Sequence, residues 1–151
     1  MRNQRGSNES PSFKQGARRV RAVIADDFAE VLDAVERRLS DCEIVGRASD
    51  GLALVESICK LKPDIFVTDI SMPGLTGIEA LVRLRSMGIN TPAVILSVRE
   101  DEELAKQALL QGASAYVLKS RLDDDLPIAV REALAGRTFI SERLRRKTPG
   151  S

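Results

Sequence analysis

Apolar and polar positions follow two different periods along the chain. Five short runs are almost uniformly apolar and rich in Val, Ile and Ala, and each ends in polar residues. That pattern predicts strands buried on both faces of a parallel sheet. The predicted strands span residues 20–25, 44–48, 65–68, 93–98 and 115–118.

The segments between these runs place apolar residues at a spacing of about 3.6, which predicts amphipathic helices. They lie within residues 31–39, 54–61, 78–84, 104–109 and 126–134. Because strand and helix alternate five times, we expect an α/β fold: a three-layer α/β/α sandwich with right-handed crossovers around a five-stranded parallel sheet. Asp123 to Asp125 are expected to precede the last helix, with Pro127 near its first turn.

The two ends of the chain differ from its middle in composition. Residues 1–18 are polar and lack apolar periodicity, so we expect a disordered basic and polar tail. Residues 19–140 are expected to form one domain, and residues 141–151 a basic C-terminal tail or a truncated linker. Twelve basic and twenty acidic residues lie between positions 23 and 136, so an acidic body carries two basic ends.

Composition excludes several classes of chemistry. The chain has no histidine, which rules out His-ligated metals and Ser-His or Cys-His catalytic pairs on this chain. The chain has one Tyr, four Phe and no Trp, so we do not expect a surface that stacks the bases of single-stranded nucleic acid. Cys42 and Cys59 lack metal-site spacing and are expected to be free thiols, which favours a reducing cytoplasm. We expect neither a signal peptide nor a membrane span.

Polar residues follow four of the five predicted strands. Asp26 and Asp27 follow the first and Asp69 the third, while Ser97 and Lys119 lie at the ends of the fourth and fifth. The carboxyl ends of parallel strands meet at one edge of a sheet, so these groups should converge. Three carboxylates that close together must either hold shifted pKa values or recruit a cation, and we favour a hard dication such as Mg²⁺, which prefers oxygen ligands. With Mg²⁺ and Lys119 neutralising charge, Asp69 could act as a nucleophile toward a phosphoryl group.

Five separated motifs, in order, resemble a response-regulator receiver domain of two-component systems over roughly residues 20–140. The motifs are VIADD (23–27), VTDISMPG (67–74) closing at Gly77, ILS (95–97), GA (112–113) and AYVLK (115–119). The resemblance implies a flavodoxin-like strand order 2-1-3-4-5. It also implies a phosphoacceptor switch with at most slow self-catalysed chemistry, not an enzyme.

By this resemblance, Asp69 is the phosphoacceptor and Asp27 a direct Mg²⁺ ligand. Asp26 is implied to bind the ion through water, and the backbone carbonyl of Ser71 to be a further ligand.

The resemblance assigns the remaining candidates to switching. Ser97 and Tyr116 resemble the family's switch pair, in which the hydroxyl moves toward the phosphoryl group and the ring turns inward. Lys119 resembles the lysine that contacts the phosphoryl oxygens.

The implied phosphoryl donor is a sensor histidine kinase or a histidine phosphotransfer protein. The face made by the fourth helix, fifth strand and fifth helix is expected to bind a partner or a second copy after phosphorylation.

The local sequence around Asp69, and Ser120 after Lys119, resemble those of receivers joined to a helix-turn-helix output domain of the LuxR/NarL type. No output helices follow Ser151 in this sequence, so direct DNA binding is not expected from this chain.

An alternative to the receiver function is a phosphatase or phosphotransferase with an aspartyl-phosphate intermediate. Such enzymes typically carry a second acid two residues after the nucleophile, where this chain has Ser71. A nucleotide binder is disfavoured because Asp26 and Asp27 would repel phosphate.

Overall fold

A parallel sheet of six strands forms the middle layer of the structure, a computed structural model that describes residues 14–15, 18–142 and 144. The strands are β1 (Arg21–Ala25), β2 (Glu43–Ala48), β3 (Ile65–Asp69), β4 (Ala93–Ser97), β5 (Ala115–Leu118) and β6 (Phe139–Ile140). Their order is β2-β1-β3-β4-β5-β6, and every neighbouring pair is parallel. The predicted α/β fold and the order of its first five strands are confirmed, but the sheet has a sixth strand.

Helices cover both faces of this sheet, as the three-layer prediction requires. They are α1 (Ala29–Arg38), α2 (Gly51–Leu61), α3 (Gly77–Ser86), α4 (Glu102–Leu110) and α5 (Leu122–Leu134). Buried residues of α1 and α5 share one apolar cluster with the sheet, whereas those of α2, α3 and α4 share another. The fold therefore has two cores, one on each side of the strands.

The nearly uniform apolar character of the strands follows from burial on both faces. In β1, Ala22 and Ile24 belong to the cluster under α1 and α5, whereas Val23 and Ala25 belong to the opposite cluster. Successive strand side chains point to opposite faces, so each position along the strand meets a hydrophobic layer. This explains the absence of polar alternation in β1.

Polar caps begin three of the helices. Asp50 accepts a hydrogen bond from the backbone N–H of Ala53 at the start of α2, and Asp101 does the same for Leu104 at α4. Thr76 and Glu79 form a reciprocal capping box at α3. These caps satisfy backbone donors that would otherwise be left unpaired next to the strand ends.

Two predicted boundaries were wrong in detail. Strand β4 ends at Ser97, and Val98 is 75% exposed in the following loop. A 3-10 turn (Lys119–Arg121) leads directly into α5, so Asp123 to Asp125 lie inside the first turn of that helix, not before it. Their charges complement the helix dipole there. Pro127 then falls inside the helix.

The predictions for the two ends fall mainly on residues outside the described part of the chain. Residues 1–13, 16–17, 143 and 145–151 are not described, so the predicted tails remain predictions. Lys14–Gln15 pairs with Arg18–Arg19 as a short antiparallel ribbon.

Cys42 and Cys59 are free, and burial raises the pKa of the Cys42 thiol to about 12. Among the described residues, none of the helices has the length and apolar character needed to cross a bilayer.

Candidate functional site

Three carboxylates meet where β1 and β3 end. Asp26 and Asp27 follow the last residue of β1, and Asp69 is the last residue of β3, which pairs directly with β1. One carboxylate oxygen from each lies within 4.8 Å of the other two. Asp26 and Asp69 are buried, whereas Asp27 is exposed to solvent. The structure thus brings together the acids that the sequence placed at separate strand ends.

The ammonium group of Lys119 reaches into this acidic cluster from the end of β5. Its Nζ lies 2.8 Å from Oδ2 of Asp26 and 3.1 Å from Oδ1 of Asp69. Burial alone would lower the pKa of Lys119, but the two neighbouring carboxylates more than offset this, so the pKa is raised. Lys119 is therefore a firmly protonated cation shared between two acids.

Burial raises the pKa of the Asp69 carboxyl above its ordinary value. Lys119 lowers that pKa, the charge of Asp26 raises it further, and a backbone hydrogen bond at Ser71 lowers it slightly. The net increase means that the anion is incompletely compensated by its surroundings. Asp69 is thus a carboxylate that would gain from additional positive charge.

The residues present fit a hard divalent cation. Oδ1 of Asp26 accepts the backbone N–H of Phe28 at 2.9 Å, but its buried Oδ2 has no well-aligned hydrogen bond despite the nearby Lys119. One ammonium faces three carboxylates, so the cluster retains negative charge and free oxygen ligands. Mg²⁺ is commonly held by one or two carboxylates together with water and phosphate oxygens. Asp26, Asp27 and Asp69 are therefore the candidate ligands.

A hollow of about 230 Å³ opens beside Asp69. Both Ser71 and Ser97 line it, and the lining also includes Asp27, Phe28, Ile70, Val98, Arg99 and Lys119. The backbone carbonyl of Ser71 as a metal ligand remains a prediction. A space of this size next to a carboxylate, a hydroxyl and an ammonium suits a small anionic group.

Ser97 and Tyr116 lie next to this hollow on adjacent strands. Oγ of Ser97 accepts the backbone N–H of Arg99 at 3.0 Å, which leaves its hydroxyl hydrogen available for another acceptor. The Tyr116 hydroxyl donates to the backbone carbonyl of Arg99 at 3.2 Å, and its ring is fully buried. Burial raises the pKa of Tyr116, and a hydrogen bond with Ser97 partly counters that increase. The ring is already turned inward in this structure.

Two exposed apolar side chains at the rim of the hollow were not predicted from the sequence. Phe28 is 59% exposed although it immediately follows two functional candidates, and exposed Val98 lines the same hollow. Gly77 is where the loop after β3 returns to the strand, because its N–H binds the carbonyl of Ile70 at 3.0 Å. A Cβ at this position would collide with the backbone oxygen of Asp69. Glycine is therefore required for the loop that carries Ser71.

Comparison with known proteins places this geometry in a family. Residues 22–131 match the model of the response regulator receiver domain. The chain is 35% identical over 125 residues to the nitrate/nitrite response regulator protein NarL of Escherichia coli strain K12, covering 81% of this chain and 58% of that protein. It is 33% identical over 129 residues to the oxygen regulatory protein NreC of Staphylococcus aureus, covering 83% and 59%. The chain therefore spans less than two thirds of these relatives.

Solved structures agree with the sequence comparison. The isolated receiver domain of RcsB from Salmonella enterica serovar Typhimurium, determined with the phosphomimetic BeF3⁻, superposes with a TM-score of 0.77 at 26% identity, covering 85% of this chain and 97% of that one. A LuxR-family two-component response regulator from Aurantimonas gives 0.80 at 28% identity, covering 85% and 94%. RcsB dimers bound to DNA give 0.77 at 26% identity, covering 85% and 67%. On these matches, the chain belongs to the response-regulator receiver domain family.

Proposed function

We propose that this receiver domain accepts a phosphoryl group on Asp69 from a sensor histidine kinase or a histidine phosphotransfer protein, with Mg²⁺ bound at the acidic cluster. One observation carries the proposal: Asp69 is a buried, undercompensated carboxylate held 3.1 Å from Lys119 at the edge of an open hollow. A cytoplasmic location, expected from the free cysteines, forms part of the same proposal.

The transfer forms a bond between a carboxylate oxygen of Asp69 and phosphorus, while the phosphorus–nitrogen bond of the donor phosphohistidine breaks. The bonding electrons return to the donor imidazole, which then takes up a proton. Lys119 faces the incoming phosphoryl oxygens and offsets their charge, and Ser97 donates its hydroxyl hydrogen to one of them in place of its hydrogen bond with Tyr116. When bound, Mg²⁺ neutralises charge between the acids and the phosphoryl group.

Phosphorylation changes the local charge and so drives the switch. A phosphoryl group adds about −1.5 to −2 charge units beside Lys119 and Ser97. Because Ser97 also holds the N–H of Arg99, its movement would carry the loop whose carbonyl accepts the Tyr116 hydroxyl. This links Asp69 to the face formed by α4, β5 and α5, which would then bind a partner or a second copy. Dimers reported for RcsB support the second-copy option.

The test is intact-mass analysis after incubation with acetyl phosphate and Mg²⁺. We expect one phosphoryl adduct that requires Mg²⁺, is absent with a chelator and is removed by hydroxylamine, as an acyl phosphate would be. An unmodified chain, or an adduct that resists hydroxylamine, would contradict phosphorylation of a carboxylate. Continuous release of phosphate at many turnovers per second would instead favour the alternative enzyme.

A further inference from the structure

The chain after α5 returns to the sheet and adds to the edge of β5. The terminal segment, residues 139–142 and Leu144, begins with β6, which pairs Ala115 with Phe139 and Tyr116 with Ile140. The N–H of Phe139 donates to the carbonyl of Ser114 at 3.1 Å. The terminal segment is therefore joined by backbone hydrogen bonds to the strand that carries Tyr116 and leads to Lys119.

Ser141 makes two hydrogen bonds to the carboxyl end of β5. Its backbone N–H donates to the carbonyl of Tyr116 at 3.0 Å, and its Oγ accepts the backbone N–H of Leu118 at 3.0 Å. Ser141 is fully buried, so water does not replace its Oγ as the acceptor for Leu118. The hydroxyl thus fixes the amide of Leu118, the residue immediately before Lys119, whose ammonium contacts Asp69.

Packing joins the terminal segment to both cores. Phe139 lies in the cluster with α1 and α5, whereas Ile140 and Leu144 pack in the cluster that contains Tyr116. Leu144 is 1% exposed, and its backbone N–H binds the carbonyl of Ser141 at 3.0 Å. The segment is consequently packed against the strand that carries Tyr116, and of its residues Glu142 is exposed.

We propose that Ser141 is a positioning residue that couples the terminal segment to the phosphorylation state of Asp69. The segment is docked on β5 while Asp69 is unmodified and is held less firmly once Asp69 is phosphorylated. This inference rests on the proposed function, because it assigns an output to the same site.

Two connected routes carry the coupling. The first runs from Ser97 through the backbone of Arg99 to the Tyr116 hydroxyl, and the Tyr116 carbonyl is the acceptor for Ser141. The second runs along the chain from Lys119 to Leu118, whose backbone N–H donates a hydrogen bond to Oγ of Ser141. Coupling between two sites is reciprocal in free energy. Weakening the docking of the segment on β5 must therefore also change the free energy of phosphorylating Asp69.

The experiment measures amide hydrogen exchange and intact mass on the same samples, with and without acetyl phosphate and Mg²⁺. In the unsubstituted chain, we expect peptides covering residues 139–142 to exchange roughly tenfold faster when the mass shows the phosphoryl adduct, since one buried hydrogen bond is enough for such a change. In Asp69→Ala, exchange should not respond to acetyl phosphate. A strand with only a structural role would show equal protection in both states.

Ser141→Ala and Ser114→Ala form a matched pair. Oγ of Ser114 also accepts a backbone N–H, that of Ala93 at 3.4 Å, but lies at the opposite end of β5. We expect Ser141→Ala to speed labelling of Asp69 severalfold, because the docked segment no longer favours the unmodified state, and to reduce the response of residues 139–142 to labelling. Ser114→Ala should retain both.

The outcomes separate the inference from the proposed function. A normal adduct with unchanged exchange at residues 139–142 would overturn the coupling and leave the phosphoacceptor role intact. Equal labelling rates in Ser141→Ala and Ser114→Ala would overturn the positioning role of Ser141. Absence of any adduct in the unsubstituted chain would remove both the inference and the function on which it rests.

Discussion

Two aspartates at opposite ends of β3 lie in contrasting environments. Asp64 directly precedes the strand and forms two hydrogen bonds with the guanidinium of Arg18, at 2.8 and 2.9 Å. It also accepts the backbone N–H of Arg21 at 2.8 Å. The Arg18 hydrogen bond is the main reason that the pKa of Asp64 lies below its ordinary value, whereas burial raises the pKa of Asp69.

The difference separates a structural acid from a reactive one. The ionised form of Asp64 is satisfied by donors on two sides, so its charge favours the folded chain. The ionised form of Asp69 loses solvation and faces Asp26, so its charge opposes folding in the absence of Mg²⁺. Undercompensated charge of this kind is common at functional sites and is a stability cost that the rest of the fold offsets.

The largest expected effect is on phosphoryl uptake. Asp69→Ala should abolish the acetyl phosphate adduct, because it removes the accepting carboxylate. Asp64→Asn should retain the adduct, because Asp64 lies at the other end of the strand. Intact-mass analysis of the two variants under identical conditions tests this. Labelling of Asp69→Ala to the level of Asp64→Asn would contradict the role of Asp69 as the accepting residue.

Magnesium affinity should show the next largest effect. Asp27→Ala removes one candidate ligand and should weaken Mg²⁺ binding by about tenfold or more, which corresponds to roughly 1.4 kcal/mol per factor of ten. Glu30→Ala is the control, since it removes an exposed acid from the first turn of α1. Titration calorimetry measures both, and equal affinities would show that Asp27 is not a ligand.

Stability should change in opposite directions for the two aspartates. Without Mg²⁺, Asp69→Asn should raise the free energy of unfolding by about 1 kcal/mol, because a buried, repelled charge is removed. Asp64→Asn should lower the free energy of unfolding, because it removes the charge from the hydrogen bonds that Asp64 accepts. The loss should be only about 1 kcal/mol, since the arginine partner is exposed to solvent and its charge is screened. Urea denaturation measures both values. Changes of the same sign would contradict the contrast.

The pH dependence should be the smallest of the four effects. The folded pKa of Asp64 is lowered, so its contribution to stability is present above its unfolded pKa and is lost as pH falls through the folded value, below about pH 4. Asp64→Asn should therefore lose less stability in acid than the unsubstituted chain.

The opposite sign holds for Asp69. Its folded pKa is raised, so its destabilising contribution is present at neutral pH and disappears as pH falls through the folded value toward the unfolded one. The stability advantage of Asp69→Asn should shrink over that range. Urea titrations at several pH values without Mg²⁺ check both signs, and a constant advantage would contradict the raised pKa.

The sequence predicted that the acids and Lys119 converge, because parallel topology determines where strand ends meet. Asp26, Asp69 and Lys119 follow different strands, yet a shared carboxyl edge brings them together. Sequence could not decide which of Asp26 and Asp27 is buried, since both are the same residue type after the same strand. Contacts with Lys119 and the N–H of Phe28 hold Asp26 in the buried position.

The sixth strand could not be predicted from periodicity. Phe139–Ile140 is too short for an apolar pattern to be distinguished from chance. It forms because β5 offers an open edge and Ser141 supplies the acceptor for Leu118. Likewise, Val98 extended the apolar run of β4 in sequence, but pairing with β5 ends at Ser97. Such features depend on tertiary pairing and not on local pattern.

The most direct test of the central claim is identification of the modified residue. After treatment with acetyl phosphate and Mg²⁺, borohydride reduction would convert an aspartyl phosphate to homoserine, which peptide sequencing by mass spectrometry can locate. We expect homoserine at position 69 and aspartate retained at positions 26, 27 and 64. Homoserine at any of those three positions, with Asp69 unchanged, would contradict it.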